Sequence, residues 1–162
     1  MSRRLLAILI LAGPALAGCG SSSSGGKSQA VAGPGFTFAA PAGWQVTHGD
    51  GRASAQHGSD LVQVVTFKLV KPYSGSLFDA VETELNQRMD EIAQETGGKV
   101  VGRRVVTPAG IRSHSYRVDD GDHVDEYTFV LRSSKEYQLL CRRDSSSSNA
   151  NCKRLIATFK IV

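Results

Sequence analysis

Residues 76–98 constrain this chain more than any other segment. Leu77, Val81, Leu85, Met89 and Ile92 recur at spacings of three and four, with Phe78 and Ala93 beside them. Glu82, Glu84, Gln87, Arg88, Asp90 and Glu91 fall elsewhere around the same helix, so the apolar residues form one stripe. Ser76 with Asp79 three residues on has the pattern of a capping box, and Gly97-Gly98 supplies the stop. A helix with a single apolar stripe must lay it on something. The remaining periodic segments alternate as strands do, so the stripe predicts a helix packed on this chain's own sheet.

The strands are read on both sides of that helix. Phe36 and Phe38 alternate, residues 41–43 make a Pro-Gly turn, and Trp44 opens a second short strand, where it serves as a core plug. Residues 52–55 form a further short strand. Residues 61–70 are rich in Val, Leu and Phe on both faces, which predicts a central strand covered on two sides. After the helix come strand-like residues 100–107, 111–118, 124–131 and 136–143. The runs Asp119-Asp120-Gly121-Asp122 and Ser133-Ser134-Lys135 have turn composition, so these segments predict an antiparallel meander. Leu155, Ile156 and Phe159 fit a short closing helix that Asn151 caps, with a final strand as the alternative for its end. The expected fold class is α+β: an antiparallel β-sheet with one long helix and a short C-terminal helix packed on its faces.

The opening FTFAAPAGW, the long helix, the meander and the ending from Cys152 to Phe159 resemble the PsbP-like and Mog1-like domains of many bacterial lipoproteins. The resemblance covers residues 36–162 as a single domain. It implies a scaffold of adaptor-like and assembly proteins with no shared catalytic residues, and so implies no reaction.

Ahead of that domain, Arg3 and Arg4 precede an apolar run over residues 5–16. A membrane-spanning helix needs about 20 apolar residues, so this run reads as an export signal, residues 1–18. Leu16-Ala17-Gly18-Cys19 resembles the lipobox of bacterial lipoprotein precursors, in which the cysteine thiol receives a diacylglyceryl group before cleavage ahead of it. Cys19 is therefore the expected lipidation site. Cleavage after Ala17 by an ordinary secretory route is the alternative, and it leaves Cys19 an unpaired thiol in an oxidising compartment. Residues 20–35 read GSSSSGGKSQAVAGPG, without a hydrophobic period, so residues 19–35 are expected to be the lipidated cysteine and a flexible tether.

With Cys19 lipidated, Cys141 and Cys152 remain as an even pair flanking a serine-rich loop, and a structural disulfide is expected between them. Free buried thiols, a redox pair and a metal site are the alternatives. No His stands at ligand spacing from either cysteine, and redox pairs are usually spaced more closely.

No constellation specifies a reaction, a cofactor or a metal. His48, His57, His114 and His123 form no metal-binding spacing, although His114 and His123 would face each other across a hairpin, near Asp125 or Glu126. The DDGDH run lacks the alternating carboxylates of a calcium loop. Removal of Arg3 and Arg4 with the signal brings the formal charge from +4 to +2, too small to argue for nucleic acid. Arg142, Arg143, Lys153 and Arg154 would lie together once the disulfide forms, a candidate basic patch for anionic lipid or envelope polymer. The sequence thus leads to a lipid-anchored, non-catalytic binding or assembly module on the extracytoplasmic face of a membrane. Its partners would be the membrane itself and another envelope protein or anionic polymer. A carrier of a hydrophobic small ligand is the alternative.

Overall fold

The computed structural model describes residues 27–162. The export signal, Cys19 and the first part of the expected tether lie outside the described residues. Eleven elements follow in chain order: β1 (Ser28–Gly33), β2 (Phe36–Pro41), β3 (Gln45–Gly49), β4 (Arg52–His57), β5 (Asp60–Tyr73), α1 (Phe78–Glu95), β6 (Lys99–Val106), β7 (Ser113–Asp119), β8 (His123–Asp144), α2 (Ala150–Thr158) and β9 (Lys160–Ile161). They build a six-stranded antiparallel sheet in the order β3-β4-β5-β8-β7-β6 and a three-stranded sheet in the order β1-β2-β9. The small sheet and α2 cover one face of the large sheet, and α1 covers part of the other. The α+β class expected from the sequence is the class observed.

The domain begins earlier than expected. Residues 28–33, read as tether, are a strand paired with β2 from Ser28↔Pro41 to Gly33↔Phe36. An edge strand with one covered face needs little hydrophobicity. Val31, 1% exposed, is its only large apolar anchor. Gly33 is required here because the Phe36 ring occupies the space where its side chain would stand.

The second difference is β8. Residues 124–131 and 136–143 are not two strands of a hairpin but halves of one 22-residue strand. Its first half pairs with β7 and its second with β5. Ser133, at φ 51°, does not reverse the chain; it sits where the register with β5 slips between Lys68 and Tyr73. The slip also changes which residues face which layer. Before it, Tyr127 and Phe129 face α1; after it, Gln138 and Leu140 do, while Tyr137, Leu139 and Cys141 face the small sheet.

α1 buries Phe78, Leu85, Met89 and Ala93, the centre of the expected stripe, while Leu77 is left 42% exposed. It starts one residue later than a Ser76 cap would place it: Ser76 lies in a 3₁₀ turn, and its hydroxyl meets that of Ser74 at 2.7 Å. Gly97, at φ 70°, ends the helix as expected, and Gly98 N–H donates to the Ala93 carbonyl at 2.8 Å. α2, by contrast, starts early: it begins at Ala150, one residue before Asn151, with Asn149 ahead of it. Among the described residues no helix is long and apolar enough to cross a membrane.

Candidate functional site

An α-helix of 18 residues is about 27 Å long and lies across only part of a six-stranded sheet. α1 rests on β6 and β7 and shares its buried cluster with Tyr127, Phe129 and Leu140 of β8, leaving the same face of β5 beside it as a step. The expectation that β5 is covered on both sides therefore holds for one face only. Val62 and Val64 are buried against the small sheet, whereas Phe67, on the α1 side, is 42% exposed. Past Lys68 the strand bulges: Leu69 to Pro72 stand against the single residue Ser134 of β8. Val70, at the crest of the bulge, is fully exposed.

The step and the bulge enclose a groove of about 550 Å³. Phe67, Leu69 and Leu131 line it from the sheet, Val81 from α1, and Leu77 from the turn just before that helix. One charged pair crosses it: Arg88 donates to Glu136 at 3.0 Å and to the Gln138 side chain at 3.2 Å, with its guanidinium 5.1 Å from the centre of the Phe129 ring. Lys68, Lys71 and Glu84 supply the polar rim. Tyr73 forms one end and also lines a neighbouring cavity of about 360 Å³ beside Phe78 and Arg112. Burial first, and Asp79 behind it, push its phenol up, against the lowering effect of Arg112.

Residues singled out in the sequence are placed as follows. Cys141 and Cys152 form a disulfide, with Cα atoms 5.3 Å apart, tying β8 to α2. Arg142 and Arg143, as neighbouring strand residues, point to opposite faces, so the four basic residues do not share one face. Arg142 faces the α1 side and is held bidentately by Asp125 at 2.7 and 2.8 Å. Arg143 donates to the carbonyls of Asp144, Ser145 and Ser147, and so organises the serine-rich loop. Lys153 lines a different cleft, with Arg104 and Lys160.

His114 and His123 do not meet. His114 is opposite Phe129, stacked on Phe78 at 4.0 Å, with its Nε2 3.0 Å from the Phe78 carbonyl oxygen. His123 lies at the far end of β7 and β8, 3.9 Å from Asp120. The DDGDH carboxylates serve the turn: Asp119 accepts from Gly121 N–H, and Asp120 accepts from Asp122 and His123 N–H. Trp44 packs against the core under the small sheet and stacks on His57 at 6.4 Å. Among the described residues no three His, Cys, Asp or Glu side chains cluster as metal ligands would.

The position of the groove follows from the course of the strands. Near the start of the described chain, the Gln29 side chain donates to the Pro41 and Trp44 carbonyls, and Trp44 stacks on His57, which is opposite Asp60. The turn after β1 approaches Lys135, which is opposite Lys68. β1 therefore enters at the Asp60 end of β5, and the groove lies at the other end, beyond Lys68.

No protein-family model matches the sequence, and no curated protein matches it. Among solved structures the fold is similar to that of cyanobacterial PsbP (CyanoP) from Synechocystis sp., with a TM-score of 0.60 at 12% identity, covering 89% of this chain and 99% of that one. A structure from Bacteroides thetaiotaomicron aligns at a TM-score of 0.46 and 13% identity over 79% of this chain; the match spans 45% of that longer protein. The domain thus has a PsbP-like fold, as the residues quoted above suggested.

Proposed function

We propose that this chain is a lipid-anchored envelope protein on the extracytoplasmic side of a membrane, where it acts as a non-catalytic binding or assembly module. Its groove between β5 and α1 receives an apolar segment of another envelope protein. The observation that carries this reading is the placement of the groove at the end of β5 opposite the entry of β1. From Cys19 to Ser28 the chain reaches at most about 30 Å even fully extended. β5 from Asp60 to Lys68 alone covers roughly 26 Å. An anchor at Cys19 would hold the Asp60 end near the bilayer and present the groove away from it, toward other proteins. The disulfide supports an oxidising compartment, as export requires. The groove has an apolar floor and a rim of both charge signs, which suits a protein segment.

The test has two arms. Replacing Cys19 with Ser should move the chain from the membrane to the soluble fraction; continued membrane association would remove the lipid anchor from the proposal. A photoreactive residue at Val70 in intact cells should cross-link to one protein, and Leu77→Glu on the groove wall should abolish that adduct. An adduct indifferent to Leu77→Glu, or none, rejects the groove as the binding site.

One observation favours the carrier of a hydrophobic small ligand as a second reading: sheet and helix line the groove together, at a volume within the usual range for ligand pockets. Native mass spectrometry of the purified chain separates the two. A stoichiometric small molecule that dissociates in Leu77→Glu selects the carrier.

A further inference from the structure

On the other face of the large sheet, α2 and the segment entering β9 run beside the end of β6, leaving a cleft of about 460 Å³. Its cations come from three elements: Arg104 of β6, Lys153 of α2 and Lys160 of β9. Val106 and Ile156, both partly exposed, form an apolar surface between them. Arg104 bonds the buried Glu126 at the base, so one carboxylate answers three cations. Lys153 and Lys160 form no ion pair among the described residues.

The wall opposite α2 is a strained turn. Ala109 holds φ 50° and ψ 26°, the left-handed region that a residue with a side chain rarely occupies, between Pro108 and Gly110. Strain of this kind persists where the surrounding packing enforces it, and it gathers at ligand-binding segments. The turn packs against α2, the helix that the disulfide ties to β8, so the two walls are held together.

We infer that this cleft binds an amphiphile with a single anionic head, a phosphate ester carrying an apolar chain. The lysines take the head, and Val106 and Ile156 take the beginning of the chain. Two unpaired ammonium groups beside an apolar surface favour that combination over a free inorganic anion, which leaves the apolar surface wet, and over a neutral lipid, which leaves both charges unmatched. The basic character read from Arg142, Arg143, Lys153 and Arg154 is thereby relocated: Lys153 keeps the role, and its partners are Lys160 and Arg104.

The test is calorimetric titration of the purified full-length chain with dodecyl phosphate below its micellar concentration, with inorganic phosphate and dodecanol as controls. Dodecyl phosphate should bind at one site. Lys153→Gln with Lys160→Gln should weaken it by at least roughly tenfold, and Lys→Arg at both positions should restore it. These lysines are exposed, so the variants report the site and not the fold. Unchanged affinity in the double Gln variant, or equal binding of dodecanol or inorganic phosphate, overturns the inference. Vesicles of phosphatidylglycerol and of phosphatidylcholine identify the source. Binding to the former that is lost in the double Gln variant points to bilayer lipid, and no vesicle binding points to a monomeric amphiphile; both support the site. Vesicle binding without dodecyl phosphate binding is surface electrostatics and overturns it.

Discussion

Beneath the small sheet, the large sheet presents Ala53, Ala55, Val62, Val64, Val130, Leu139 and Cys141 to Phe36, Phe38, Leu155 and Phe159, a cluster without a titratable side chain apart from the Tyr137 phenol. Beneath α1 the same sheet presents Tyr116, Val118, Tyr127 and Phe129 to Leu85, Met89 and Ala93. That second cluster is bordered by Asp125 paired to Arg142 and by Glu136 paired to Arg88. β8 contributes to both. The first cluster is larger, rich in aromatic contacts and cross-linked at its edge. Apolar burial of that kind sets global stability and is indifferent to pH, whereas a cluster closed by charged pairs responds to protonation and salt. The groove adjoins the second cluster, so the binding proposed for it falls on the more responsive side.

The largest expected effect tests where stability resides. Phe36 is fully buried and meets Phe38, Tyr137 and Phe159 at ring separations of 6.2–6.4 Å. Phe36→Ala should cost ~3–5 kcal/mol in urea unfolding, whereas Met89→Ala under α1 should fall at or below the lower end of that range. A Met89→Ala loss larger than that of Phe36→Ala would reverse the ranking of the two clusters.

Next comes the disulfide. Replacing Cys141 and Cys152 together by Ala removes the closure of a short loop, with a separation of 11 residues, and should cost ~2–3 kcal/mol. Hydrogen exchange should show the loss first in α2 and the end of β8, leaving α1 protected. If α1 loses protection equally early, the two clusters are one cooperative unit.

The contrast between these clusters was only partly legible in the sequence. The stripe on α1 declares itself because a helix repeats its face every three or four residues, and Cys141 with Cys152 declares itself through the even count left after Cys19. β1 hides because Ser28-Gln29-Ala30-Val31-Ala32-Gly33 offers a single large apolar residue, and pairing with β2 does the rest. Ser133-Ser134-Lys135 has the composition of a turn, but turn chemistry also serves a slipped register, and only the partner strands decide between them. His114 and His123 are kept apart by where the hairpin turns: the turn over residues 120–122 puts Phe129, not His123, opposite His114. The groove has no local signature at all: it arises because α1 is narrower than the sheet it covers. The cationic cleft has no local signature either, its three cations coming from β6, α2 and β9.

The smallest expected effect concerns Tyr127, beside Asp125 in the cluster under α1. Burial first, then the Asp125 carboxylate, push its phenol up to about 12 from the ordinary 10.0, against the lowering effect of Arg142. The sign follows from which state holds the proton. Between pH 10 and about 12 the unfolded chain has lost the phenolic proton and the folded chain keeps it, so the folded state weakens as pH rises through that window and the loss levels off above it. Solvent screening at a partly exposed phenol holds the contribution to ~2 kcal/mol or less, fully present below pH 10. Urea midpoints taken at about pH 9 and about pH 11 should fall together with the ultraviolet signature of phenolate formation. Tyr127→Phe should remove this part of the slope, and Asp125→Asn should shrink it by taking away the carboxylate that repels the phenolate. Because other tyrosines and lysines also titrate there, the difference between wild type and Tyr127→Phe is the quantity that decides. An identical alkaline slope in both would mean that the α1 side is no more sensitive to protonation than the side under the small sheet, and the division of labour between them would fall.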